Sequence, residues 1–338
     1  MDRRDKALLG LDIAALRGLE IGPLHAPMVR RHEGPVLYVD HATAPELKAK
    51  NRGNPHCDVE AIVEVDAVWG ERTLKQCLDG RQVDYVIASH VIEHVPDLIG
   101  WLGEIEETLV AGGQLRLMVP DKRYTFDLFR RSTSLADLLV AHLLGARRPG
   151  LQQLVDCALN TVHAESDMVW RGAVSRADLD DNDGAASALA MGRRFLESGD
   201  YIDVHCWVFS PKDFARLFGR AARCGLIRFR CIRAFDTEPG QIEFVVHLEK
   251  CDDAQACAAS WDEMGESLGD PGTAPFEAED GSISADSVAA LTRALRAKTA
   301  ELEIRNAELA EMRSSRSWRA TGPMRAALTA LRPRRRPG

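Results

Sequence analysis

Between residues 17 and 119, short apolar runs alternate with stretches whose apolar residues recur every three to four positions, the pattern of a parallel sheet covered by helices. The runs Arg17 to Ile21, Pro35 to Asp40, Ala61 to Val65, Val83 to Ala88 and Gln114 to Val119 read as strands. Between the last two, Pro96 to Val110 reads as a helix: Pro96 suits a first turn, Leu98, Trp101, Leu102, Ile105 and Leu109 share a face, and Gly112-Gly113 ends it.

Beyond Pro120 the alternation lapses. Arg123 to Tyr201 is helical in propensity but broken by Arg147-Arg148-Pro149-Gly150 and by the acidic run Asp178 to Asp183, which marks an insertion over about 122–205 after the fifth strand. A helix over Pro211 to Arg223 follows, then a strand pair, Leu226 to Phe235 with Gln241 to Leu248, joined through Glu238-Pro239-Gly240. The expected organisation is one α/β domain over 1–250 and a linker over 251–286, richest in Gly, Pro, Ser and acids from Gly269. A helix over 287–313 and a basic, disordered tail over 314–338 complete it. In that helix Val288, Leu295, Leu302 and Leu309 keep seven-residue spacing, while the second seam, Leu291, Lys298, Arg305 and Met312, is only half apolar. A short coiled coil that joins copies of the chain and a lone surface helix both remain open.

Composition narrows the class. The chain's 338 residues are 45% hydrophobic and 28% charged, as in ordinary globular proteins. No stretch reaches the ~18 to 20 consecutive apolar residues of a membrane-spanning helix. The charged start, Met-Asp-Arg-Arg-Asp-Lys, lacks the long apolar run and cleavage site of a secretory signal, so a cytoplasmic protein is expected. The cysteines Cys57, Cys77, Cys157, Cys206, Cys224, Cys231, Cys251 and Cys257 include no Cys-x-x-Cys pair, which points to free thiols. From Arg313 onward there are eight arginines and no acid, so the remainder carries −16 against −8 for the whole chain. An acidic body excludes nucleic acid as a partner, whereas the tail suits an acidic partner or a membrane surface.

The chemistry begins at Gly18-Leu19-Glu20-Ile21-Gly22-Pro23-Leu24, where the first strand turns toward its helix. Open α/β sheets bind ligands at that carboxyl edge. A dinucleotide would bring a pyrophosphate there, needing closely spaced glycines, and a carboxylate would oppose it. S-adenosylmethionine brings a cationic ammonium and sulfonium, which Glu20 favours. Asp40, closing the second strand, can accept hydrogen bonds from both hydroxyls of a ribose. The third strand ends in Val65-Asp66-Ala67 and the fourth in Ala88-Ser89-His90-Val91-Ile92-Glu93-His94.

These segments, with Asp84 to Asp97 and Leu109-Val110-Ala111-Gly112-Gly113, closely resemble class I S-adenosylmethionine-dependent methyltransferases of the type 11 kind in order and spacing, over roughly residues 17 to 120. The resemblance implies a Rossmann-like seven-stranded sheet closed by the hairpin near 226–248. It also implies that Glu20, Gly22 and Pro23 hold the methionine end of the cofactor, Asp40 the ribose and Asp66 the adenine side, with Ser89 and His90 lining the pocket. One departure stands at the bend: the family often has a second glycine two positions after Gly22, where this chain has Leu24.

Methyl transfer to an alcohol needs a proton acceptor, and the candidates on the acceptor side are His205, Asp121 and His94. His163 offers a further imidazole. No metal site is expected, since His90 and His94 are four residues apart without the His-Glu-x-x-His order.

Ser314 to Arg325 is similar to a tail on bacterial surface-polysaccharide glycosyltransferases, which implies a glycan acceptor, contact with a glycosyltransferase and a peripheral place at the inner membrane. Three other readings stay open: a small-molecule or quinone methyltransferase, a catalytically degenerate scaffold of glycan assembly, and a nicotinamide-dependent oxidoreductase. The last is disfavoured by the single glycine at the bend.

Overall fold

A computed structural model describes residues 1–268 apart from 71, 163–164, 177–178 and 180–183. The linker from Gly269, the helix over 287–313, the tail, His163 and most of the acidic run lie outside the described residues.

Seven strands form one sheet: β1 Gly18–Ile21, β2 Val36–Asp40, β3 Ala67–Val68, β4 Val83–Ser89, β5 Leu109–Pro120, β6 Phe229–Phe235 and β7 Glu243–Lys250. Their order is β3-β2-β1-β4-β5-β7-β6. β1 to β5 run parallel, and β7 runs antiparallel to both β5 and β6. The order reverses between β1 and β4, which makes that gap the topological switch point.

The central strands are buried on both faces, which is why they are apolar almost throughout rather than alternating, whereas the edge strand β6 is largely exposed. Leu19, Ile21, Val86, Ala88, Leu117 and Val246 point to one face. There they pack under helix Leu98–Thr108, whose Leu98, Trp101, Leu102 and Ile105 are buried. Helix Pro211–Arg223 covers the same face with Phe214, Leu217 and Phe218; Ser210 caps it, accepting from the Asp213 N–H at 3.2 Å, and Pro211 occupies its first turn. Tyr38, Tyr85, Ile87, Met118 and Val245 face the other way, against Ala7 of helix Arg3–Leu8 and the segment carrying Met28 and Val29. Glu20, between Leu19 and Ile21, shares this second side.

Three expectations change. The apolar run Ala61 to Val65 is not a strand: Asp58 accepts hydrogen bonds from the Glu60 and Ala61 N–H groups and starts a 3-10 turn over Val59–Ala61. Only Ala67 and Val68, just beyond the run, pair with Val39 and Asp40 of β2. The fifth strand starts at Leu109 rather than Gln114, passing through Gly112 at φ +69° and shifting register against β4 between Val83 and Tyr85. The stretch expected to open the linker is instead a helix, Ala254–Ser267, with Cys257, Ala258, Trp261 and Met264 buried. Trp261 donates its indole N–H to the Phe229 carbonyl at 2.9 Å and meets the Phe218 ring at 5.0 Å, so the helix belongs to the core of the domain.

Between β5 and Pro211 the described residues form helices Leu135–Leu143, Leu151–Asn160, Ser166–Trp170 and Gly184–Ser198. No helix among the described residues is long and apolar enough to cross a membrane.

Candidate functional site

The first half of the site is the bend after β1. Gly22 has φ +67°, and a Cβ there would approach Val91 Cγ2 to 3.1 Å, so the position demands glycine on conformation and close approach alike. Leu24, standing where the resembling family often has its second glycine, is itself left-handed at φ 46°. The bend thus keeps a glycine-like conformation with a leucine, at a cost of about 1–2 kcal/mol. Packing of Leu24 against Ala44, Leu47 and Ile62 offsets that cost.

Glu20 lies beneath this bend, 2% exposed. Its Oε1 accepts from the Met28 N–H at 2.7 Å and its Oε2 from the Val29 N–H at 3.1 Å. Burial outweighs those hydrogen bonds and the nearby Arg3 and Arg4, raising its pKa to about 7. The carboxyl group thus anchors the backbone that shapes the bend, and the burial that raises its pKa sets it directly under that bend. On the same bend, His25 Nδ1 is buried with no hydrogen-bond partner among the described residues.

At the end of β2, Asp40 is 5% exposed. Its Oδ1 accepts from the His41 N–H at 2.7 Å, and the His41 ring nitrogen Nδ1 lies at 2.7 Å from the same oxygen. Asp66 does not reach the edge: it precedes β3, and its Oδ2 accepts from the Tyr38 N–H at 2.7 Å and from Arg31 at 2.8 Å.

The second half of the site gathers at the ends of β4, β5 and β7. His90 takes a left-handed φ of 53° just after β4, with its N–H on the Met118 carbonyl at 3.0 Å. Its Nε2 lies 2.7 Å from Glu243 Oε2, while Arg3 pairs with Glu243 Oε1 at 2.5 Å and also donates to Ser89. Burial opposes charge on His90, but the carboxylates of Glu243 and Glu93 overcome it and raise its pKa to about 9. Ser89 and His90, expected to line a pocket, are thereby tied into one ionic cluster with Arg3 and Glu243.

Asp121 follows β5 with 0% exposure. Arg123 contacts both of its oxygens, the closest at 2.6 Å, and the Thr237 hydroxyl donates to Oδ2 at 2.7 Å. Its Oδ1 also accepts the Arg123 N–H at 3.0 Å, capping a 3-10 turn. Arg123 and Thr237 engage both oxygens of this buried carboxylate, which ties the chain together after β5.

His94 and His205, by contrast, meet. The Cys206 and Trp207 N–H groups both reach the Glu93 carbonyl, at 2.6 and 3.2 Å, and the Trp207 indole donates to the Val95 carbonyl at 2.6 Å. That clamp brings the segment around 205 against the turn after β4, and the two imidazole rings make an edge contact with centroids 4.8 Å apart. His205 Nδ1 lies 2.5 Å from Asp127 Oδ2; Arg130 holds Asp127 Oδ1 at 2.9 Å and Asp156 at 2.8 Å. His94 Nδ1 lies 2.9 Å from Asp203, whose pKa is lowered to about 2 chiefly by that hydrogen bond.

Glu93 sits between these rings, 1% exposed, and among the described residues neither of its carboxylate oxygens has a hydrogen-bond partner. His90 Nδ1 stands 3.5 Å from Oε1 and His94 Nε2 3.9 Å, ion-pair distances without hydrogen-bond geometry. Burial alone would raise the Glu93 pKa, but His90, His205 and His94 hold it below the usual carboxylate range. Glu93, Asp127, Asp203, Glu243, Arg3 and Arg130 were not singled out as site residues from sequence. Asp203, two residues before His205, and Glu93, beside His94, were the legible signals.

No protein-family model and no curated protein matches the chain. Solved structures do match, 283 chains in all. A methyltransferase from Mesorhizobium loti, described as S-adenosylmethionine dependent, aligns at 11% identity over 71% of this chain and 93% of its own, with a TM-score of 0.34. The CurJ carbon methyltransferase aligns at 11% over 73% of this chain and 51% of its own, with a TM-score of 0.35. Magnesium protoporphyrin IX methyltransferase from Synechocystis aligns at 10% over 71% and 72%, with a TM-score of 0.31. Other matches carry dehydrogenase and hemolysin names.

Proposed function

We propose that this chain binds S-adenosylmethionine at the carboxyl edge of β1 and β2 and transfers its methyl group to an acceptor held over the ends of β4 and β5. One observation carries the reading: Glu20 and Asp40 stand on adjacent parallel strands beside the switch point, one acid under the glycine bend and the other at the neighbouring strand end. The residues suit the cofactor chemically. Glu20 is a buried carboxylate whose direct partners are two neutral amides, so a cation over the bend would supply opposite charge. Asp40 Oδ2 makes no hydrogen bond within the described residues and is open to ribose hydroxyls, and the unpartnered His25 Nδ1 is a further polar atom at the bend.

When bound, the cofactor supplies a methyl group already activated on a sulfonium. The chain's part is to position the partners and exclude water. Gly22 lets the backbone come close, Asp40 orients the ribose, and the fixed pair His90–Glu243 borders the acceptor side. We propose a sugar hydroxyl of a surface polysaccharide or its lipid-linked precursor as the acceptor; as its oxygen takes the methyl group from sulfur, its proton passes to His94 or His205, whose rings meet beyond the end of β4. The support for that choice is the resemblance of Ser314 to Arg325 to polysaccharide-enzyme tails.

Equilibrium dialysis with S-adenosylmethionine tests the cofactor assignment. Asp40→Ala is expected to weaken binding about ten- to hundredfold, as loss of charge-assisted hydrogen bonds worth about 1.5–3 kcal/mol requires. Unchanged affinity in that variant would remove Asp40 from the site.

A further inference from the structure

The buried carboxylate of Glu93 accepts no hydrogen bond among the described residues and has only imidazoles at 3.5 and 3.9 Å to offset its charge. A buried charge without hydrogen bonds is costly, and native structures pair such groups with donors or metal ions. Around it, one ligand atom each from Glu93, His94 and His205 lie within 4.8 Å of one another. Three ligands at bonds near 2.1 Å to a tetrahedral ion stand about 3.4 Å apart, so small side-chain rotations would close the set.

The outer contacts agree with a metal site. Both rings give Nδ1 to a carboxylate, His205 to Asp127 at 2.5 Å and His94 to Asp203 at 2.9 Å. Metal-binding histidines are oriented in this way, the outer carboxylate fixing the ring and leaving the other nitrogen for the ion. The His94 side chain is 35% exposed and offers a path from solvent.

We propose that Glu93, His94 and His205 bind one divalent first-row transition metal through a carboxylate oxygen and two imidazole Nε2 atoms. Two nitrogens and one oxygen suit zinc, iron, manganese or cobalt, and the cysteines take no part. Three protein ligands leave coordination positions for water or for an acceptor oxygen. This assignment stands apart from the cofactor reading: in the metal-loaded chain His94 and His205 are ligands, and in the metal-free chain they stay the proton acceptors expected from sequence.

The test uses the full chain, stripped with a chelator and titrated without S-adenosylmethionine against Zn²⁺, Mn²⁺, Fe²⁺ and Co²⁺. The expected result is one metal per chain for at least one of these ions. With Co²⁺, visible d–d bands should appear without a thiolate charge-transfer band. Glu93→Gln and His205→Ala should lose the metal, Asp127→Asn should bind it ~10- to 100-fold more weakly, and His142→Ala, remote from the cluster, should keep it. Absence of stoichiometric uptake by the wild-type chain would overturn the proposal, as would full retention by folded Glu93→Gln and His205→Ala. Should those variants not fold, the wild-type stoichiometry and cobalt spectrum decide alone.

Discussion

Relative to a Glu20→Gln variant, the unfolding free energy of this chain is expected to fall by about 3 kcal/mol between pH 4.5 and pH 8. Burial raises the Glu20 pKa from 4.5 to about 7 in the folded state, so the folded chain holds a proton that the unfolded chain has released. Stability from that proton is complete below the unfolded pKa and is lost as pH rises through 7. The groups facing Glu20 are Arg3 and Arg4 from the N-terminal helix, Tyr38 from β2 and Tyr85 from β4. Burial raises the pKa of both tyrosines, which stay neutral throughout this window, so the difference between the two proteins reports Glu20. Denaturant titrations at several pH values measure it, and parallel curves for the two proteins would show that Glu20 ionises normally. The same linkage bears on the proposed cofactor. A cation over the bend favours the ionised carboxylate, so affinity should increase with pH up to about 7 and binding at pH 6 should release a proton.

Arg130→Met is expected to destabilise the chain by about 3–5 kcal/mol. The arginine side chain is buried and holds both Asp127 and Asp156; without it, Asp127 keeps His205 as its one ion-pair partner among the described residues. Arg171→Ala, which breaks an exposed pair with Asp167, should cost under about 1 kcal/mol. Equal effects in urea unfolding would mean that the buried network contributes no more than a surface contact.

The sheet was legible because its central strands are apolar on both faces and end in recognisable turn residues: Ile21-Gly22, Val39-Asp40 and Ser89-His90 fall at the ends of β1, β2 and β4. Legibility failed where tertiary contacts outweighed local pattern. Ala61 to Val65 has a strand's composition, yet a cap by Asp58 and an edge only two residues long decide its structure. Helix Ala254–Ser267 carries mainly small residues, and its burial depends on how Trp261 fits against Phe218 and the Phe229 carbonyl.

At the site, residue identity was readable and partnership was not. Glu20 was marked by charge, but the amides that hold it come from a backbone eight and nine residues on. His205 was marked by type, whereas Asp127, its partner, lies 78 positions away. Glu93 was read within the strand-end run, and its want of partners emerges only when His94 and His205 close around it.

Isothermal titration of the full chain with S-adenosylmethionine at pH 6 and pH 8 tests the central claim, that a buried carboxylate under the first bend serves a cationic nucleoside cofactor. One molecule per chain with micromolar affinity, tighter at pH 8 and abolished by Glu20→Lys, is the predicted result. No binding of the cofactor at millimolar concentration, by a chain shown to be folded, would contradict it.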